Sequence, residues 1–273
     1  MSDAPGAFAF VKAEGLGNDF LIVDAREVDL GERVAALQPH AVAVCDRRTG
    51  VGGDGLLIVG RPTLPGSVAT MRVLNADGSR PQMCGNGLRC VALWLAEGGA
   101  PGTFVVDTDA GPRRCTVTVG EAAEVDIDMG PAHHGPAVEL AAADGHVLAQ
   151  VSMGNPHAIA FVDGDPEALA RRLGPGLERD AAFPEGTNVE FATIEAGAVT
   201  LWVWERGCGI TAACGTGACA TVAAAVAQGR LAAERPTRVR LPGGELWITV
   251  PADPRQGVRM RGPARLVFRG QWP

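Results

Sequence analysis

The chain repeats itself, and that repetition limits the folds open to it. Met83-Cys84-Gly85-Asn86-Gly87 is echoed by Ala213-Cys214-Gly215-Thr216-Gly217. In each copy a cysteine precedes a Gly-x-Gly turn and an Ala- and Leu-rich segment of helical character. The echo extends upstream. Gly17-Asn18 ahead of Phe20-Leu21-Ile22-Val23-Asp24 matches Gly154-Asn155 ahead of Ala158-Ile159-Ala160-Phe161-Val162-Asp163. Residues 54–59 match 187–192, and 71–75 match 201–205. Asn75 stands nine positions before Cys84, and Glu205 nine before Cys214. A duplication of this length predicts two related lobes, each delivering one thiol.

Patterning within each half gives the elements. Residues 8–24 read as strand, Gly-rich turn (Glu14-Gly15-Leu16-Gly17-Asn18-Asp19) and strand, and 31–45 as an amphipathic helix broken near Pro39. Leu88, Val91, Ala92 and Leu95 predict a helix from Asn86 to Glu97, with Asn86 as N-cap and Gly98-Gly99 as its stop. Thr216 is expected to cap a second helix over 218–227, and 166–173 reads as a short one. Short β-branched runs elsewhere make strands outnumber helices. The expected class is α+β, with an N-terminal lobe over 1–128 carrying Cys84 and a C-terminal lobe over 129–261 carrying Cys214.

Composition narrows the function classes. A net charge of -7 without clustered Lys or Arg argues against a nucleic-acid surface. The first residues lack the basic and apolar regions of a signal peptide, and no stretch approaches the ~18 apolar residues of a membrane span. Seven cysteines, an odd number in no regular framework, point away from a secreted disulfide scaffold and towards a reducing cytoplasm. The expected partner is a small molecule, with neither nucleic acid nor membrane.

The loop Arg47-Arg48-Thr49-Gly50-Val51-Gly52-Gly53-Asp54-Gly55 invites a phosphate-binding reading. It lacks the Gly-Lys-Ser/Thr ending, and a strand-like run follows it instead of a helix. Cys84 with Cys90, and Cys214 with Cys219, do not have metal-ligand spacing, so no metal is expected. A single-nucleophile Cys-His-Asn enzyme could use His157 but leaves one thiol unexplained. A two-base reaction uses both: one thiolate removes a proton from carbon while the opposed thiol delivers one to the other face. Thiols near their ordinary pKa of about 8.5, lowered modestly by a helix end, can serve either role. Backbone donors at two helix starts would stabilise charge developing on an adjacent carboxylate.

Six motifs together resemble the diaminopimelate epimerase family, in the family's order over nearly the full chain. They are Gly15-Leu16-Gly17-Asn18-Asp19-Phe20, Asn75-Ala76-Asp77-Gly78, Cys84-Gly85-Asn86-Gly87, Gly154-Asn155-Pro156-His157, Glu205-Arg206-Gly207 and Ala213-Cys214-Gly215-Thr216-Gly217-Ala218-Cys219. The resemblance implies a cofactor-independent epimerase converting LL- to meso-2,6-diaminopimelate, in lysine and peptidoglycan biosynthesis. Its fold would be two pseudo-symmetric domains, each a β-sheet or barrel wrapped around a central helix, with the site between them. Strand 262–273 would return to the first lobe.

Matched residue by residue, the resemblance makes Cys84 and Cys214 the acid–base pair and places His157 and Glu205 beside them. Gly85, Asn86, Gly215 and Thr216 would hold the reacting carboxylate. Asn18, Asn75, Asn155, Asn188, Glu205 and Arg206 would recognise the rest of the substrate, Arg206 taking the distal carboxylate. Cys45, Cys90, Cys115, Cys208 and Cys219 read as small buried hydrophobes. Gly55 stands where many members carry Gln, Ile210 where Glu is frequent, and Cys208 at a usually Ala-like position. Two alternatives stay open: a related racemase acting on a proline- or histidine-type amino acid, and a non-catalytic amino-acid-binding relative. A homodimer is the expected assembly.

Overall fold

Runs such as Phe20-Leu21-Ile22-Val23 and Leu56-Leu57-Ile58-Val59 are apolar at every position, as strands covered on both faces must be, and both become buried strands. The computed structural model describes residues 7–120 and 123–273; residues 1–6 and 121–122 of the expected first lobe lie outside the described residues. The chain divides into two units, Met1–Ile127 with Gly262–Pro273, and Asp128–Arg261.

In the first unit, Phe8–Gly15 pairs antiparallel with Asn18–Asp24, which runs parallel to Gly55–Gly60. Gly55–Gly60 pairs antiparallel with Ser67–Asn75, which runs parallel to Thr103–Thr108. Gly111–Thr118 and Glu124–Asp128 continue the series antiparallel. Arg265–Trp272 lies antiparallel on Phe8–Gly15.

The second unit repeats this order. Val147–Ser152 pairs antiparallel with Pro156–Phe161, which runs parallel to Asn188–Glu195. Asn188–Glu195 pairs antiparallel with Ala198–Glu205, which runs parallel to Thr237–Leu241. Gly244–Thr249 and Arg259–Pro263 follow antiparallel. The pseudo-symmetry is thus one of backbone topology, strand for strand, and the class is α+β.

In each unit the helix that follows the cysteine packs on the strands, Gly85–Glu97 in the first and Gly215–Ala227 in the second. Most residues of both are buried, Asn86, Arg89 and Thr221 among them, while Glu97 at the end of the first is exposed. A helix enclosed on all sides is apolar all round, which the Ala-rich second helix satisfies with side chains small enough to let strands approach closely.

The sequence placed both helix caps two residues late. Cys84 and Cys214, not Asn86 and Thr216, are the N-caps: each cysteine is in extended conformation and its sulfur accepts from an amide three residues on, Gly87 N or Gly217 N, at 3.4 Å. A thiol sulfur here does what a Ser or Thr hydroxyl does in ordinary caps.

The helix expected over 166–173 runs on as Pro166–Leu177, through Pro175. Gly174-Pro175-Gly176 reads locally as a breaker, but tertiary contact overrides it. A Cβ on Gly174 would lie 2.6 Å from the Trp204 side chain, so glycine lets this extra turn seat against the strand Ala198–Glu205.

Candidate active site

Each expected thiol sits inside a hydrogen-bonded network of its own unit. In the first unit the hairpin turn Leu16-Gly17, with φ 57° and 80°, is the two-residue type that matches strand twist and sets Asn18 at the head of its strand. Asn18 Oδ1 accepts from Asn86 Nδ2 at 2.5 Å, and Asn18 Nδ2 donates to Asp54 Oδ2 at 3.0 Å. Asn86 Oδ1 in turn accepts from Arg89 Nη1 at 2.9 Å, while Arg89 Nε donates to the Pro263 carbonyl at 3.1 Å.

Asp54 is itself held. Arg47 bridges Asp54 at 2.7 Å and Asp19 at 2.6 Å, and Lys12 pairs with Asp19 at 2.5 Å. Although burial opposes it, hydrogen bonds and charge from Arg47 and Lys12 hold the Asp19 carboxyl below its ordinary range. The Arg47–Asp54 loop that suggested phosphate binding therefore buttresses Asn18. Asn75 engages Ser79, donating Nδ2 to Oγ at 2.9 Å, within the Asp77-Gly78 turn.

In the second unit Asn155 takes the place of Asn18 in the repeat, and it too reaches the residue two past the cysteine. Asn155 Nδ2 donates to Thr216 Oγ1 at 3.3 Å, and Thr216 Oγ1 lies 3.6 Å from Cys214 Sγ. Asn155 Oδ1 faces His157 Nε2 at 3.1 Å, and His157 Nδ1 shares a hydrogen bond of 2.6 Å with Glu190 Oε1. The His157 and Glu190 side chains are both 0% exposed. Glu205 accepts from the Thr211 hydroxyl and from the Cys214 thiol.

These surroundings correct the expectation of a depressed thiol pKa at Cys214. Burial pushes the Cys214 thiol well above its ordinary value, and the Glu205 and Glu190 carboxylates add to the effect; the Thr216 hydroxyl and the Gly217 amide oppose it without prevailing. The helix end supplies one donor, but a cysteine 5% exposed has lost nearly all its water and faces two acids. Burial likewise raises Glu205 and Glu190, His157 partly offsetting it at both.

Arg206 is exposed, on a turn anchored from beneath. Its backbone amide donates to Asn188 Oδ1 at 2.9 Å, and Asn188 Nδ2 donates to the Pro156 carbonyl at 2.8 Å. The buried Glu178 carboxylate accepts from Gly207 N at 2.8 Å and from Trp204 Nε1 at 2.7 Å. Arg206 Nη1 rests on the Glu185 carbonyl at 2.9 Å. Gly55 is buried, and a Cβ there would lie 2.3 Å from the Leu74 carbonyl oxygen, so strand packing admits no side chain at that position.

Cys45, Cys90, Cys115 and Cys219 are buried, and burial raises Cys45 to about 11 and Cys90 and Cys115 to about 12. Cys208 is exposed instead, because it falls in the turn after Arg206-Gly207 and not within a strand. The sequence reading passed over Glu190, Glu178, Arg89 and the Lys12–Asp19–Arg47–Asp54 cluster as site components. The available signal was a charged residue inside an apolar run, as with Glu190 between Val189 and Phe191 or Arg89 between Leu88 and Cys90. Among the described residues no helix is long and apolar enough to cross a membrane.

A family profile described as Diaminopimelate epimerase matches residues 10–135 and 149–267. The chain is 43% identical to the diaminopimelate epimerase of Heliobacterium modesticaldum, across 97% of this chain and 99% of that one. It is 44% identical to that of Desulforudis audaxviator, across 96% and 98%. Its fold is also that of a probable proline racemase from Agrobacterium radiobacter, with a TM-score of 0.74 over 97% of this chain and 93% of that one at 17% identity. With matching motifs in order and relatives at this identity over nearly the whole length, the chain belongs to the diaminopimelate epimerase family.

Proposed function

We propose that this protein interconverts LL- and meso-2,6-diaminopimelate without a cofactor, serving lysine and peptidoglycan biosynthesis, by trading protons between Cys84 and Cys214 across the α-carbon. One thiolate takes the α-hydrogen and the electron pair left behind spreads onto the adjoining carboxylate. The opposite thiol then protonates the other face, inverting the centre. Backbone amides of Gly85 and Asn86, and of Gly215 and Thr216, hold that carboxylate as its charge grows. Asn18, Asn75, Asn155 and Asn188 bind the amino and carboxylate groups, and Arg206 clamps the distal carboxylate. His157 and Glu205 set the proton affinity of the sulfur beside them.

The observation carrying this reading is that repeat-related cysteines cap repeat-related helices, so that one duplicated framework supplies two thiols of equivalent local geometry. A homodimer in the cytoplasm completes the proposal, and sedimentation of the purified protein tests the assembly.

Incubation with LL-diaminopimelate in deuterium oxide, followed by proton NMR and chiral analysis, tests the chemistry. Loss of the α-proton signal with appearance of the meso isomer is expected. No exchange would overturn the proposal, and faster exchange of proline than of diaminopimelate would reassign the substrate.

A further inference from the structure

Glu190 lies on the strand Asn188–Glu195 beneath the first turn of the helix Gly215–Ala227. A Cβ on Gly217 would come within 2.8 Å of its Oε1. It is wholly buried, and its other oxygen, Oε2, has no hydrogen-bond partner. Stability alone is a poor reason for such a group, because a buried carboxylate satisfied at one oxygen costs more than an apolar residue of similar size. The duplicated lobe shows that the scaffold does without it: the repeat aligns Glu190 with Leu57 and His157 with Phe20, and both of those are buried apolar side chains. Leu57 even occupies the corresponding place, meeting a Cβ on Gly87 at 2.7 Å.

We propose that Glu190 is a positioning residue for the epimerase reaction, fixing the His157 ring so that His157, Asn155 and Thr216 form an oriented relay ending on Cys214 Sγ. The inference rests on the function proposed above. The direction of the relay follows from donors and acceptors. With the amide oxygen of Asn155 facing Nε2, that nitrogen carries a proton and donates. The Asn155 amide nitrogen is thereby turned to Thr216 Oγ1, whose lone pair is engaged, leaving the Thr216 hydroxyl hydrogen for the sulfur. Glu190 holds the other ring nitrogen and so keeps the ring from turning over.

Two titratable groups act on Cys214, Glu205 on the strand Ala198–Glu205 and Glu190 on the adjoining strand, and His157 on the next strand acts on both of them. As bare charges the two acids disfavour the thiolate. The relay opposes them by presenting a donor, so it is the thiolate form of Cys214 that loses support when Glu190 is removed.

The test compares wild type with Glu190→Leu, which cannot hold the ring nitrogen, and with the double variant His157→Phe/Glu190→Leu, which transplants the apolar pair of the first lobe. Each is assayed for kcat, KM and the pH dependence of Cys214 alkylation, read peptide by peptide. In both variants kcat should fall about tenfold or more with KM little changed, and Cys214 alkylation should move to higher pH while that of Cys84 stays put. Near-normal kcat with an unmoved Cys214 profile in the folded double variant would overturn the proposal and make the pair mere packing. A shift to lower pH would overturn it in favour of Glu190 acting only as a bare charge, and failure of both variants to fold would assign the pair to stability. Absence of α-hydrogen exchange in the wild type would instead strike the proposed function.

Discussion

The two lobes share a backbone plan, and among the aligned positions at which they differ four stand out. Where the first has Phe20, Leu57, Asn75 and Ala76, the second has His157, Glu190, Glu205 and Arg206. The pairings of those strands are the same in both units, as is the capping of the central helix by cysteine sulfur. An amide at Asn18 or Asn155 reaches the second residue after each cysteine. What duplication preserved is the geometry around the sulfur, set by backbone amides and small residues. What diverged is the charge behind it: two acids and an imidazole around Cys214, and an amide network braced by Arg89, Arg47 and Lys12 on the Cys84 side. The two thiols thus stand in equivalent local geometry but unequal fields.

The strongest way to break this comparison is to remove one sulfur at a time. Cys84→Ser and Cys214→Ser should each lower epimerisation by at least about a hundredfold while circular dichroism stays native, because neither lobe's thiol can stand in for the other. Near-normal turnover in either would show that the two are not partners. Next in size is the cation that stands where the first lobe has Ala76. Arg206→Lys should raise KM for diaminopimelate by roughly tenfold with a smaller change in kcat, since a point charge replaces a bidentate fork. Steady-state kinetics showing an unchanged KM would remove Arg206 from substrate binding.

The unequal fields predict unequal pH behaviour. At pH 8 iodoacetamide should label exposed Cys208 first and leave Cys214 largely unmodified, its thiol being raised by burial and by Glu205 and Glu190. Peptide-resolved mass spectrometry checks this, and early labelling of Cys214 would refute the raised thiol. Stability should respond through Glu205. Its folded carboxyl holds a proton more tightly than the unfolded chain does, so its contribution is fully present at pH below the ordinary carboxylate range and is lost as pH rises through the folded value. Glu205→Gln should therefore raise the melting temperature at pH 8 and leave it nearly unchanged at pH 3.

The smallest effect sharpens the contrast at the helix starts. Gly87→Ala pushes against the end of the flexible Leu57 side chain, and the better helix propensity of Ala offsets this, so unfolding in urea should change by no more than about 1 kcal/mol. Gly217→Ala meets Glu190 Oε1 at 2.8 Å and Cys214 Sγ at 3.2 Å, both already engaged, and should lose both stability and turnover. Equal responses from the two glycines would mean that the charge behind the second helix has no structural consequence.

Much of this was legible in the chain. The duplicated Cys-Gly-x-Gly motifs determined two related lobes with one thiol each, and apolar periodicity determined the two central helices and most strands, because periodicity and turn chemistry are local. The tertiary structure alone decided which residues stand behind the sulfurs. Glu190 meets His157 and Glu178 meets Trp204 across separations of 33 and 26 residues, so nothing in their own neighbourhoods announces the contact. It also decided the cap positions and the proton affinity of Cys214. A helix end draws a thiol's pKa down, but burial and two acids brought in from other strands outweigh one backbone donor, and desolvation is a property of the packed interior that no motif encodes.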